Sequence, residues 1–172
     1  MSTDRDPPTA AASSATTAAP AVSVAVPCNR FDPHAAATWQ SAGAVPYIFL
    51  ATTFEAVAAT TKRLEIADAL SNMFRAILAS TPDDLLPAVY LTMGKVAPDH
   101  DGVELNVGGK TVSDAVCEVA GTTRRKMSSL YKDMGDLGDV AHALRGRQAV
   151  LKAPAPLAAR GVYAELLSLI HI

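Results

Sequence analysis

The chain has 172 residues and a net charge of −2, which accommodates one domain with a sizeable core and leaves no room for a second full domain. Hydrophobic residues make up 49% of it but aromatics only 5%, so burial by helix–helix packing of alanine and branched aliphatics is expected. Cys28 and Cys117 and the four histidines are too scattered for a disulfide framework or metal motif, and neither a membrane-length apolar run nor a leader pattern occurs, so a soluble intracellular protein without a membrane partner is expected.

Residues 1–27 are rich in Ala, Ser, Thr and Pro with no large apolar side chain before Val22, which predicts a disordered tail. The tail holds neither a Lys/Arg cluster nor a glutamine followed by paired aromatics. A helical domain is expected over 28–166. Trp39 is expected to pack as a lid on the first long helix rather than to stack on a base, because a single aromatic makes no nucleic-acid groove.

From Val45 to Tyr90 apolar residues recur at helical spacing, predicting three packed helices. One stripe runs through Tyr47, Leu50, Ala51, Phe54, Val57 and Ala58. A second runs through Ile66, Leu70, Met73, Phe74, Ile77 and Leu78, leaving Glu65, Asp68, Asn72 and Arg75 on a polar face turned to water or a ligand. Thr81-Pro82-Asp83-Asp84 has the form of a helix start, with a threonine cap, proline at the first position and acids in the first turn. Capping thereby explains both aspartates, and Pro87 is expected to bend the helix that follows.

Residues 94–109 lose periodicity and read as a long surface connection tacked down by Leu105 and Val107. Gly108-Gly109 lacks the spacing of a phosphate loop and is expected to turn into the next helix. Val112, Ala115, Val116 and Val119 then form an inward face closed by Gly121. Thr122 or Thr123 starts another helix whose first turn carries Arg124, Arg125 and Lys126, where cations oppose the helix dipole; they form either a solvated face or a site for an anionic partner. Gly135 ends it. The Gly135-Asp136-Leu137-Gly138 corner either offers backbone N–H groups to a phosphate or is capped by Asp136 itself.

Charge is unevenly spread. Segment 122–160 has eight basic and three acidic residues, whereas 81–121 has two basic and seven acidic, so one side of the molecule can meet phosphate.

The run VPYIFLATTFEAVAATTKRLEIADALSNMFRAIL, then DDLLPAVYL, VELNVG, YKDMGDLGDVA and PAPLAARGVY, resembles the N-terminal DNA-binding domain of eukaryotic and archaeal ATP-dependent DNA ligases, in order and spacing from about Phe31 to Tyr163. That resemblance implies an all-α, compact multi-helix bundle that grips nicked double-stranded DNA through backbone and minor-groove contacts, works as a monomer with catalytic domains of the same polypeptide, and acts in the nucleus in replication, repair and recombination. Contacts are expected from Arg63, Ser71, Asn72 and Arg75, and from Lys132, Gly135, Gly138 and Arg145; alternatively Arg63 and Arg75 pair with Glu65 or Asp68 while Ser71 and Asn72 bond locally. ATP and Mg2+ are implied for a full-length ligase but not for this chain, which contains no Lys-x-Asp-Gly and is expected to be inactive alone; Lys132-Asp133-Met134-Gly135 has a different order. Residues 167–172 resemble a translated sequencing adapter, so an interrupted reading frame is expected. The competing reading is a catalytically inert helical module that binds another protein.

Overall fold

The computed structural model describes residues 23–39, 43–145 and 155–170. Among them lie eight α-helices: α1 (Pro33–Ala36), α2 (Tyr47–Ala58), α3 (Arg63–Ser80), α4 (Leu85–Met93), α5 (Gly109–Val119), α6 (Arg124–Met134), α7 (Leu137–Arg145) and α8 (Ala159–Ile170). No strand occurs among the described residues; the extended pairing there is one isolated bridge between Pro46 and Ala158. The all-helical expectation holds, including three helices between Val45 and Tyr90.

The helices form two packed groups. In the first, α3 runs centrally against α1, α2 and α4, and α8 closes over α4 and α2. Its core contains Leu50, Met73, Ala76, Ile77, Ala88 and Ala159, all at 0% exposure. Trp39 joins that core with its ring 4.6 Å from Phe49 and its indole N–H on the Thr81 hydroxyl at 3.3 Å, the lid arrangement expected of it. In the second group α5, α6 and α7 pack on one another around Cys117, Met127, Val140 and Leu144.

Several expectations about burial fail for physical reasons. On α3 the expected Met73 and Ile77 are buried and Leu70 and Phe74 pack half-buried on the core, but Ala69, Asn72 and Ala76 are buried as well, so the stripe is rotated toward its small residues and Leu78 lies exposed. Small side chains let α1 and the segment before it approach closely. That segment belongs to the packed body: Val24 is buried, ahead of the expected boundary at Pro27. Pro87 sits in the first turn of α4, where its missing N–H costs no intrahelical bond. The connection before α5 is anchored by buried Val96, whose carbonyl accepts from Tyr163 Oη at 2.7 Å, while Val107 is exposed. Asp84 makes no capping bond and is completely buried.

The Asp84 carboxylate instead ties three segments together. Its Oδ2 accepts from Val45 N at 2.7 Å and from an Arg160 terminal nitrogen at 3.2 Å. Arg160 Nε lies 2.6 Å from Oδ1, off the line of its N–H, so this contact acts as an ion pair rather than a directed hydrogen bond. The guanidinium also donates to Gly43 O at 2.6 Å. Beside it, Tyr47 N donates to Leu157 O at 2.7 Å and Ala159 N to Val45 O at 2.8 Å, locking the start of α8 onto the start of α2.

Candidate functional site

The eight expected contact residues fall in the two different groups. Arg63, Ser71, Asn72 and Arg75 belong to α3 of the first; Lys132, Gly135, Gly138 and Arg145 belong to the α6–α7 unit.

On α3 the polar face is largely covered. Residues 24–31 form a strap across it: Asn72 Nδ2 donates to the carbonyls of Val24 at 2.9 Å and Val26 at 2.7 Å, and Arg75 donates to Cys28 O at 2.8 Å with its guanidinium 5.9 Å from the Phe31 ring centroid. Asn72 is 0% exposed, so it is not presented to DNA; it satisfies strap carbonyls that would otherwise be buried unpaired. Arg75 stays exposed but spends donors on the strap. Neither of the expected arginine pairings on this helix forms. Glu65 bonds Lys62 and Thr60, each at 2.7 Å, and those two hydrogen bonds, Lys62 first, lower its carboxyl pKa. Arg63 is left exposed at the first turn, without an ion pair among the described residues. Ser71 is exposed beside Cys28, whose thiol pKa is pushed up first by its hydrogen bond to Asp68 and then by desolvation.

At the second corner the local alternative is realised. Asp136 Oδ1 accepts from Gly138 N at 2.7 Å and Asp139 N at 3.0 Å, so two N–H groups reserved for a phosphate are already occupied. A Cβ at Gly138 would stand 2.9 Å from the same oxygen, so the glycine leaves room for the cap. Gly135 serves chain reversal, with φ +80° at the end of α6.

The basic segment is trimmed in the same way. Arg160 is committed to Asp84, and Arg124 pairs with Asp114 across α5 and α6. Arg147 and Lys152 lie outside the described residues. Arg125, Lys126, Lys132 and Arg145 remain exposed, without ion pairs among the described residues. On α6, Arg125, Ser129 and Lys132 stand at i, i+4 and i+7, one exposed stripe with a hydroxyl between two cations. Sequence reasoning counted Arg125 among the basic first turn but did not select it; the pairing that removes Arg124 and leaves Arg125 is visible only in three dimensions.

No three His, Cys, Asp or Glu side chains converge into a metal-binding group among the described residues. Lys132-Asp133-Met134-Gly135 is the exposed end of a helix running into its cap. No helix among the described residues is long and apolar enough to cross a membrane.

Residues 46–171 match the family model described as DNA ligase N terminus. Relatives include DNA ligase 6 of Arabidopsis thaliana, 40% identical over 83% of this chain and 10% of its own length, and DNA ligase 1 of the same plant, 38% identical over 75% and 16%. DNA ligase 1 of Drosophila melanogaster is 36% identical over 80% of this chain and 18% of its own. The chain thus spans less than a fifth of the length of these relatives.

Proposed function

Because the chain belongs to the family of the DNA ligase N terminus, the N-terminal domain of ATP-dependent DNA ligases, we propose that it is a duplex-holding part of such an enzyme. The observation that carries the reading, beyond family membership, is the exposed Arg125–Ser129–Lys132 stripe, with Arg145 on the neighbouring helix. Such a stripe suits successive phosphates and carries no groups arranged to read base edges, so binding is sequence-tolerant. Arg63 is a further candidate at the start of α3. Its N-terminal position adds the positive end of the helix dipole to its own charge.

In this proposal the protein holds nicked double-stranded DNA in the nucleus, as a monomer, during replication, repair or recombination. ATP and Mg2+ supply adenylation of the nick's 5′-phosphate on other polypeptide of the full-length ligase. The residues here fit neither group, because they offer no Lys-x-Asp-Gly nucleophile and no converging carboxylates among the described residues. Their contribution is to hold and orient the duplex.

Fluorescence anisotropy with a labelled nicked duplex tests this at two salt concentrations. Affinity should fall steeply with salt and be indifferent to sequence. Absence of binding at low salt would favour the protein-interaction module instead.

A further inference from the structure

Three successive cations, Arg124, Arg125 and Lys126, open α6, where each opposes the positive end of the helix dipole. The duplex stripe employs Arg125 but not Lys126, and Arg124 turns to Asp114 on α5. Two residues after the triplet stands Ser128, exposed on the same helix. Of all the serines and threonines in the chain, Ser128 alone has an arginine three positions before it. Basic residues four, three and two positions ahead of a hydroxyl form the charge pattern that an acidic kinase cleft selects. Ser128 also lines a cleft of about 410 Å³ between α5 and α6, and Lys110, Asp114 and Arg124 stand on the same wall, so two cations there face one acid. Lys110 is exposed, without an ion pair among the described residues.

We propose that Ser128 is a phosphorylation site for an arginine-directed serine kinase, and that Lys110 and Arg124 seat the phosphate in this cleft, pinning α5 to α6 and withdrawing the α6 cations from DNA. In the transfer Ser128 Oγ attacks the γ-phosphorus of ATP, the bond to the β,γ-bridging oxygen breaks, ADP leaves, and the hydroxyl proton passes to the kinase's carboxylate base. The product carries about −1.5 to −2 charge at pH 7 and three acceptor oxygens. It competes with the single charge of Asp114 for Arg124, and Lys110 gives it a second donor. Arg125, three positions before Ser128, and Lys132, four positions after it, are its neighbours on the helix surface, so the same group neutralises both ends of the stripe. The kinase gains access because α6 fully buries only Met127, so opening it costs less than opening α3, which buries five side chains. The site and its seating stand on these residues alone; the loss of duplex affinity rests on the DNA-holding proposal.

The 172-residue chain, incubated with Mg2+, ATP and the catalytic subunit of the cyclic-AMP-dependent protein kinase, provides the test. Mass spectrometry should place a phosphate on Ser128, absent in Ser128→Ala and in Arg125→Ala. Hydrogen exchange should show about tenfold more protection of the α5 and α6 amides in the modified chain, the effect of one charge-assisted bond, with α2 and α3 unchanged and the gain lost in Lys110→Ala. Nicked-duplex affinity should fall about tenfold at low salt on modification, while Ser128→Ala binds as the unmodified parent does. An unmodified Ser128, phosphate found only on Ser113 or Ser129, or unchanged protection of α5 and α6 would each overturn the proposal, as would a modified chain that binds duplex as tightly as its parent. If the unmodified chain binds no duplex, the DNA-holding proposal alone falls, and mass spectrometry and exchange still decide the site.

Discussion

Asp84 and Arg160, 76 positions apart, meet as a buried carboxylate and a half-exposed guanidinium, with Nε 2.6 Å from Oδ1. The pair joins the turn before α4 to the first turn of α8, and the same carboxylate holds Val45 N at the entry to α2. Three elements therefore depend on one acid that no water reaches.

Arg160→Ala should be the more damaging change at this pair. It leaves a buried charge with one backbone partner, and removing one member of a buried pair costs about 3 to 5 kcal/mol, an upper value here because the arginine is partly solvated. Asp84→Asn keeps an acceptor for Val45 N and removes the buried charge, so its cost should be smaller. Urea unfolding at neutral pH checks the order; equal or reversed costs would contradict it.

Asn72→Ala should destabilise the fold without changing duplex affinity. The amide's two acceptors, Val24 O and Val26 O, would be left unpaired under the strap, at about 1 to 3 kcal/mol. A matched pair of measurements, unfolding and anisotropy, separates this role from a DNA contact.

The helices between Val45 and Tyr90 were legible because a period of 3.6 residues is written in the apolar side chains themselves. Which side of each helix is buried was less legible. On α3 the expected Met73 and Ile77 are buried and Leu70 and Phe74 half-buried, but close packing also selects Ala69 and Ala76, leaves Leu78 exposed, and admits Asn72 because strap carbonyls complete its hydrogen bonds. The Asp84–Arg160 pair had no local signature at all, since Thr81-Pro82-Asp83-Asp84 satisfies every rule for a helix start without it. At the candidate site the basic character of 122–160 was readable, but not which cations Asp84 and Asp114 would neutralise.

The corner before α7 makes a prediction of its own. Gly138→Ala puts a methyl group 2.9 Å from Asp136 Oδ1 and should displace the cap, while Asp136→Ala deletes it. Each should cost about 0.5 to 2 kcal/mol, and the double variant little more than either, because both remove the same hydrogen bonds. Duplex affinity that drops in Gly138→Ala while stability holds would restore the phosphate role that the cap displaces.

Tyr163 sets a limit at alkaline pH. Desolvation first, and Tyr90 stacked 5.7 Å away second, raise its pKa above the ordinary 10.0. The folded state thus holds this proton more tightly than the unfolded state does. Its stabilising effect is complete below pH 10.0 and is lost as pH rises through the higher folded-state value. Tyr163→Phe removes that dependence and also the bond to Val96 O, worth about 1 kcal/mol. Unfolding midpoints below and above this range, for both proteins, should converge at the alkaline end.

The exposed cations of α6 give the sharpest test of duplex binding. Arg125→Ala with Lys132→Ala should weaken nicked-duplex affinity at low salt and flatten the dependence of log affinity on log salt by about 0.9 per phosphate contact removed. Stability should be nearly unchanged, since removing Arg125, which opposes the helix dipole in the first turn, gains about 0.3 to 1 kcal/mol and removing Lys132, which complies with it in the last turn, loses a similar amount. Arg124→Ala is the contrasting case, because its charge is already shared with Asp114. If the double variant binds as the parent does at both salt concentrations, the stripe is an ordinary solvated face and the duplex must be held elsewhere.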